Sequence, residues 1–204
     1  MRRAVIVFIG TVLISVVTHA GTKYKTTWRA SDAGQLSFAG KKVAALVISS
    51  DDSLRMSSEE ALVRELTARG LQGVAAYRLV PREELQKADT ARPWFERGAI
   101  EGLVVVRPIE LANKRTYTPD VWASPYYGSL WGYYGYGWGS VGTSGYVGQE
   151  MVLTVETMIY SVPRDRLLWA GVSETKNPSS VQKVVAELVR SAAQELKKQG
   201  LTAR

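Results

Sequence analysis

The chain contains no cysteine, and its only histidine is His19. Without thiols there are no disulfides, no thiolate nucleophile and no cysteine-held metal. His19 sits in the N-terminal apolar segment, so a chain cut after that segment has neither residue. That excludes Ser-His-Asp and Cys-His catalysis and the usual zinc sites. Nothing in the sequence calls for a cofactor. Clustered charge is also missing. The net charge is +7; removing Arg2 and Arg3 leaves +5 (7 − 2), with no run of five like charges. So diffuse a balance is no nucleic-acid footprint, and it suits work beside an anionic cell surface as well. With 46% hydrophobic and 22% charged residues, the composition is that of an ordinary globular chain of one domain.

The long uncharged apolar run is at the start. Met1–Ala20 reads MRRAVIVFIGTVLISVVTHA: two arginines, an apolar run from Ala4 to Val17, and small residues before Gly21. This is the pattern of a secretory signal cut after Ala20. Retention as a membrane anchor is the competing reading, against which the run is slightly short for a full span. Membrane contact is then only peripheral unless the leader stays. The expected location is exported, periplasmic or outer-membrane-associated, and away from nucleic acid.

The most unusual stretch is Pro119–Tyr146. It holds seven of the 18 glycines, six of the ten tyrosines, three of the six tryptophans, and one charge, Asp120. Glycine at that density weakens helix and strand alike, so a long loop is expected. Its aromatic content is not that of ordinary disorder. The candidate binding residues are Trp122, Tyr126, Tyr127, Trp131, Tyr133, Tyr134, Tyr136 and Trp138. Rings with polar handles suit half-wet interfaces. Two readings compete: the rings fold back on their own sheet, or they present an aromatic surface to a partner protein, a glycan or a membrane interface. A catalytic lid is a third.

The rest of the chain alternates strand and helix. Lys23–Trp28 reads as an edge strand. The apolar run Val43–Ile48 reads as a strand buried on both faces. A helix is expected to open at Ser57, with Glu60 completing a capping box and Glu60/Arg64 and Glu65/Arg69 pairing on the wet side. Gly70 should close it. A second strand is expected over Val74–Val80, a helix start at Pro81, a short helix over Thr90–Arg97 with Pro93 in its first turn, and a third strand from Leu103 through Pro108 to Tyr117. After the aromatic stretch come an antiparallel strand, Gln149–Val162, and a return strand, Leu167–Ser173. The last helix, capped by Ser179, carries Val181, Val184, Val185, Leu188, Val189, Ala192 and Leu196 at helical spacing. The fold class is α/β: one domain, 21–204, with a mixed sheet of five or more strands in an order near 2-1-3-4-5, the last at the edge, and a long C-terminal amphipathic helix.

The leader, the Gly/Tyr/Trp-rich insertion Tyr126–Gly145, and the strand Leu167-Leu168-Trp169-Ala170-Gly171 before an amphipathic helix together carry a resemblance. The chain resembles a bacterial envelope family of unknown function, small lipoprotein-like proteins with such an insertion before an L-x-W-x-G strand. Its α/β order is similar to the N-terminal domain of the periplasmic Tol translocation protein. The lipidation cysteine of the lipoproteins is missing. The resemblance implies an envelope location and no known enzyme activity.

The expected function is therefore a non-enzymatic binding or scaffold domain whose aromatic stretch meets an envelope protein partner. Binding of glycan or peptidoglycan through the same rings is the alternative. A carboxylate-dependent hydrolase would need Asp120 and Glu150 across a cleft. Glu156 reads as a solvent-side strand carboxylate, and Asp51-Asp52 as surface acids at a strand's carboxyl end.

Overall fold

The computed structural model describes residues 21–35, 37–109, 119–140, 152–176 and 178–198, with backbone alone at 35, 119, 120, 196 and 197. Among the described residues six strands form one mixed sheet: β1 (Lys23–Arg29), β2 (Lys42–Val47), β3 (Gln72–Ala75), β4 (Gly102–Ile109), β5 (Val152–Ser161) and β6 (Arg166–Lys176), in the order β1-β6-β5-β4-β2-β3. β2 runs parallel to β3 and β4; the other pairings are antiparallel. The five strands from β2 onward have the expected order. The return strand is not at the edge, however, because β1 pairs along it from Lys23↔Glu174 to Arg29↔Trp169.

β2 explains the layers. Val43, Ala45 and Val47 point to one face, where they meet Ala61, Leu62 and Leu66 of α1 (Asp52–Thr67) and Val185 and Leu188 of α7 (Val181–Lys198). Ala44, Leu46 and Ile48 point to the other, against Ala91 and Phe95 of α3 (Ala88–Arg97) and the aromatic segment. A strand covered on both faces needs apolar residues at every position, which is why β2 shows no alternation. Helices α1 and α3 lie on opposite faces, which puts β3 and β4 on the two sides of β2.

Several boundaries differ from the expected ones. α1 starts at Asp52, five residues before Ser57, because the Asp51 carboxylate accepts from the Leu54 amide at 3.0 Å and caps it. Glu60 forms no capping box; it accepts from the Tyr77 hydroxyl at 2.7 Å and pairs with Arg78 at 2.9 Å. The Glu65–Arg69 pair is present at 2.7 Å. β3 ends at Ala75 and the chain turns into the short α2 (Ala76–Leu79) instead of continuing to Val80. Residues 82–86 form turns where a helix was expected. Pro93 is the sixth residue of α3, so that helix does without one interior backbone bond. Ser180, not Ser179, caps α7, accepting from the Lys183 amide at 3.3 Å. The leader, the continuation of β4 to Tyr117 and the side chain of Leu196 lie outside the described residues.

The L-x-W-x-G strand has a packing reason. Trp169 is buried and meets the Tyr24 ring edge-on at 5.2 Å. A Cβ on Gly171 would lie 2.6 Å from that tyrosine ring, so the position takes no larger residue without displacing it.

Candidate functional site

The segment expected to be a loop is helical where it is described. It comprises α4 (Pro119–Trp122), α5 (Pro125–Gly128) and α6 (Leu130–Gly139). Four glycines in α6 cost about 1 kcal/mol each against alanine. Burying Leu130, Tyr133 and Tyr134 of the same helix returns roughly 1.5–3 kcal/mol per side chain, which outweighs that cost. Local propensity points to a loop; the sheet beneath overrides it.

Charges complement both ends of α6. At its N-terminus Asp165, in the β5–β6 turn, accepts from the Trp131 amide at 3.1 Å and from the Ser129 hydroxyl at 2.9 Å. Ser129 in turn accepts from the Gly132 amide at 3.2 Å. At its C-terminus Arg107 donates to the Ser140 hydroxyl, which itself donates to the Gly137 carbonyl at 3.0 Å. A negative charge at the start and a positive charge at the end oppose the macrodipole.

Under α6 lies a buried polar centre. Arg107 of β4 and Glu156 of β5 are directly cross-strand. Their side chains are 7% and 0% exposed and meet at 2.8 Å. Glu156 also accepts from the Tyr133 hydroxyl at 2.9 Å and the Trp122 indole N–H at 3.4 Å. Burial, and then the adjacent Glu156, push the Tyr133 hydroxyl far above its ordinary pKa. Burial disfavours charge on Arg107, but Tyr133 and Glu156 raise its pKa above the ordinary value all the same. The centre is a closed pin that holds the aromatic segment to the sheet. Glu156 is thus not the solvent-side carboxylate its strand pattern suggested. Its face of β5 is covered by the aromatic helices, as is the Arg107 face of β4.

The eight candidate aromatics divide. Trp122, Tyr127, Tyr133 and Tyr134 are buried, and so provide no external surface. Tyr133 stacks on Tyr160 at 6.1 Å, and the Tyr134 hydroxyl donates to the Leu85 carbonyl at 2.5 Å. Trp131 and Trp138 are half-buried against the core; Trp131 lies between Phe95, Tyr134 and the Arg92 guanidinium. Tyr126 and Tyr136 alone of the eight face solvent, 69% and 44% exposed. Tyr136 stands 5.3 Å from the Arg107 guanidinium and 5.9 Å from the Tyr127 ring. The fold-back reading therefore holds for the buried rings, and the surface narrows to two tyrosines with tryptophan flanks.

The remaining acids separate in the same way. Asp51 caps α1, and Asp52 pairs with Arg55 at 3.0 Å and Arg82 at 2.5 Å. Glu150 and the Asp120 side chain lie outside the described residues. No helix among the described residues is long and apolar enough to cross a membrane. Arg107, Asp165 and Glu59 were not singled out from the sequence. An arginine closing the run Leu103–Val106, opposite an acid on the next strand, was the available signal for the first.

No family model matches the chain, and no curated protein matches it at a significant level. Among solved structures, a PelC dodecamer from Paraburkholderia phytofirmans aligns with a TM-score of 0.44 and 16% identity, covering 83% of this chain and 91% of that one. A variant of the same dodecamer aligns at 0.44 and 15%, covering 76% and 89%. Lipoprotein GNA1162 from Neisseria meningitidis aligns at 0.41 and 11%, covering 77% and 98%. Likeness of this degree says nothing about ligand or partner.

Proposed function

We propose that the chain is an exported cell-envelope protein acting as a non-enzymatic binding or scaffold domain, with an envelope protein as its partner. The supporting observation is the exposure of Tyr126 and Tyr136 on helices held rigidly to the sheet by Asp165, Arg107 and Glu156. Rigid tyrosines present contact area at low entropic cost. Sugar stacking is less well supported, because the rings around Tyr136 are inclined to it by 54° and 58° and form no flat platform. The double substitution Tyr126→Ala, Tyr136→Ala tests the reading. It should abolish co-purification of the envelope partner from crosslinked cells while shifting Tm by only a few degrees. Unchanged co-purification refutes the assignment of this surface.

A further inference from the structure

The two helices on the Val43 face of the sheet, α1 and α7, sort their charges. The acids of α7 are half-buried and engaged: Glu187 accepts from the Thr22 hydroxyl at 3.4 Å, and Glu195 pairs with Lys198 at 3.2 Å. Lys183 and Arg190 are exposed, and neither has an ion-pair partner among the described residues. Seven residues apart, they lie on one side of the helix, about 10 Å from each other along its axis. Arg64, exposed on the neighbouring α1, is likewise unpaired among the described residues. Elsewhere Arg78 is matched with Glu60, Arg82 with Asp52, Arg92 with Glu96 and Arg166 with Asp32.

The chain enters the fold at the same helix. The Thr22 carbonyl accepts from the Ser191 hydroxyl at 2.8 Å, and the Thr22 hydroxyl meets that of Thr175 at 2.6 Å. Val17, the last residue of the apolar run, is four positions before Gly21, so at most about 14 Å of chain separates the two. An apolar run seated in a bilayer brings lipid headgroups within that reach of α7. A cut after Ala20 leaves a new amino group there instead. Both forms favour an anionic surface on this side.

We propose that the outer side of α7, with Lys183 and Arg190 and with Arg64 of α1 beside them, lies on an anionic lipid bilayer and binds its phosphate headgroups. Lysine and arginine near such a surface are attracted by charge alone and need no pocket. α7 and α6 cover opposite faces of the sheet, so a chain lying this way keeps Tyr126 and Tyr136 away from lipid. The proposal does not depend on a protein partner at those tyrosines.

The chain from Gly21 onward holds the whole sheet and both helical layers, and it removes the apolar run from the test. Co-sedimentation with vesicles of phosphatidylcholine, and of an equal mixture with phosphatidylglycerol, measures binding. At physiological salt only the anionic vesicles should pellet the protein, and high salt should release it. Each basic residue at the surface is worth about fivefold, so Lys183→Gln with Arg190→Gln should weaken partition about 25-fold. Lys87→Gln with Arg97→Gln, flanking α3 on the opposite face, removes the same charge and should weaken it less than about twofold. Equal losses in the two pairs, equal binding to both vesicle types, or no binding to either overturns the proposal. So does tighter binding to duplex DNA that the first pair abolishes, which would make this side a nucleic-acid surface.

Discussion

Replacing Glu156 with Gln keeps the side chain's size and removes its charge. The Arg107 guanidinium, 7% exposed, is then left without a counter-ion beneath α6. Removing one member of a buried pair costs about 3–5 kcal/mol, because the surviving charge stays desolvated. An amide oxygen still receives the Tyr133 hydroxyl, so the loss belongs mainly to the charge. In a chain of this size each kcal/mol moves Tm by about 2–4 °C, so a fall of roughly 6–20 °C is expected. Urea unfolding at pH 7, followed by tryptophan fluorescence, measures it. The double variant Arg107→Met, Glu156→Leu removes both charges, and its loss should be smaller than the sum of the two single losses by about 2 kcal/mol or more. A Glu156→Gln loss under about 1 kcal/mol with an unchanged denaturant slope would show that residue 156 is hydrated, and the pin would not exist.

Other perturbations separate local from tertiary causes. A Cβ on Gly135 meets nothing within 4 Å, so Gly135→Ala should stabilise by about 0.5–1 kcal/mol in urea titration. A Cβ on Gly137 would lie 2.6 Å from the Ile48 Cδ1, so Gly137→Ala should give no such gain; equal gains at both sites would contradict the packing of α6 on β2. Asp165→Asn keeps a side chain tolerant of the positive φ at that turn but loses the charge facing α6, and should cost about 1 kcal/mol with faster amide exchange at Trp131. Burial raises the pKa of the Glu59 carboxyl, so the folded state holds its proton more tightly than the unfolded state. Its contribution is therefore complete below the ordinary carboxyl value and is lost as pH rises through about 7. The urea midpoint of the wild type should fall over that interval relative to Glu59→Gln, and parallel pH profiles would refute this.

Much of the fold was legible because burial writes itself into periodicity. The unbroken apolar run of β2 and the i, i+3, i+4 pattern of α7 each state how many faces are covered, and those requirements hold wherever the elements finally sit. The order of β2 through β6 followed from short connections and crossovers on opposite faces. Helix starts were less legible, since Asp51 and Ser57 are both good caps and only the geometry selects one.

The aromatic segment shows where local reading ends. Its glycines argue against helix, and the argument is sound for an isolated peptide. What makes α6 a helix comes from elsewhere in the chain: an apolar sheet face from β2, β4 and β5, Asp165 at one end and Arg107 at the other. The alternation of β5 marks Glu156 as facing opposite Val155 but not whether that face is wet, because burial there depends on a covering helix that local propensity does not predict. The sequence alone settled composition, the lack of cysteine and the main strands and helices, all properties of residues and their near neighbours. Which aromatics are core, which two reach solvent, and which acid is buried with its arginine were decided only by contacts between strands and helices distant in the chain.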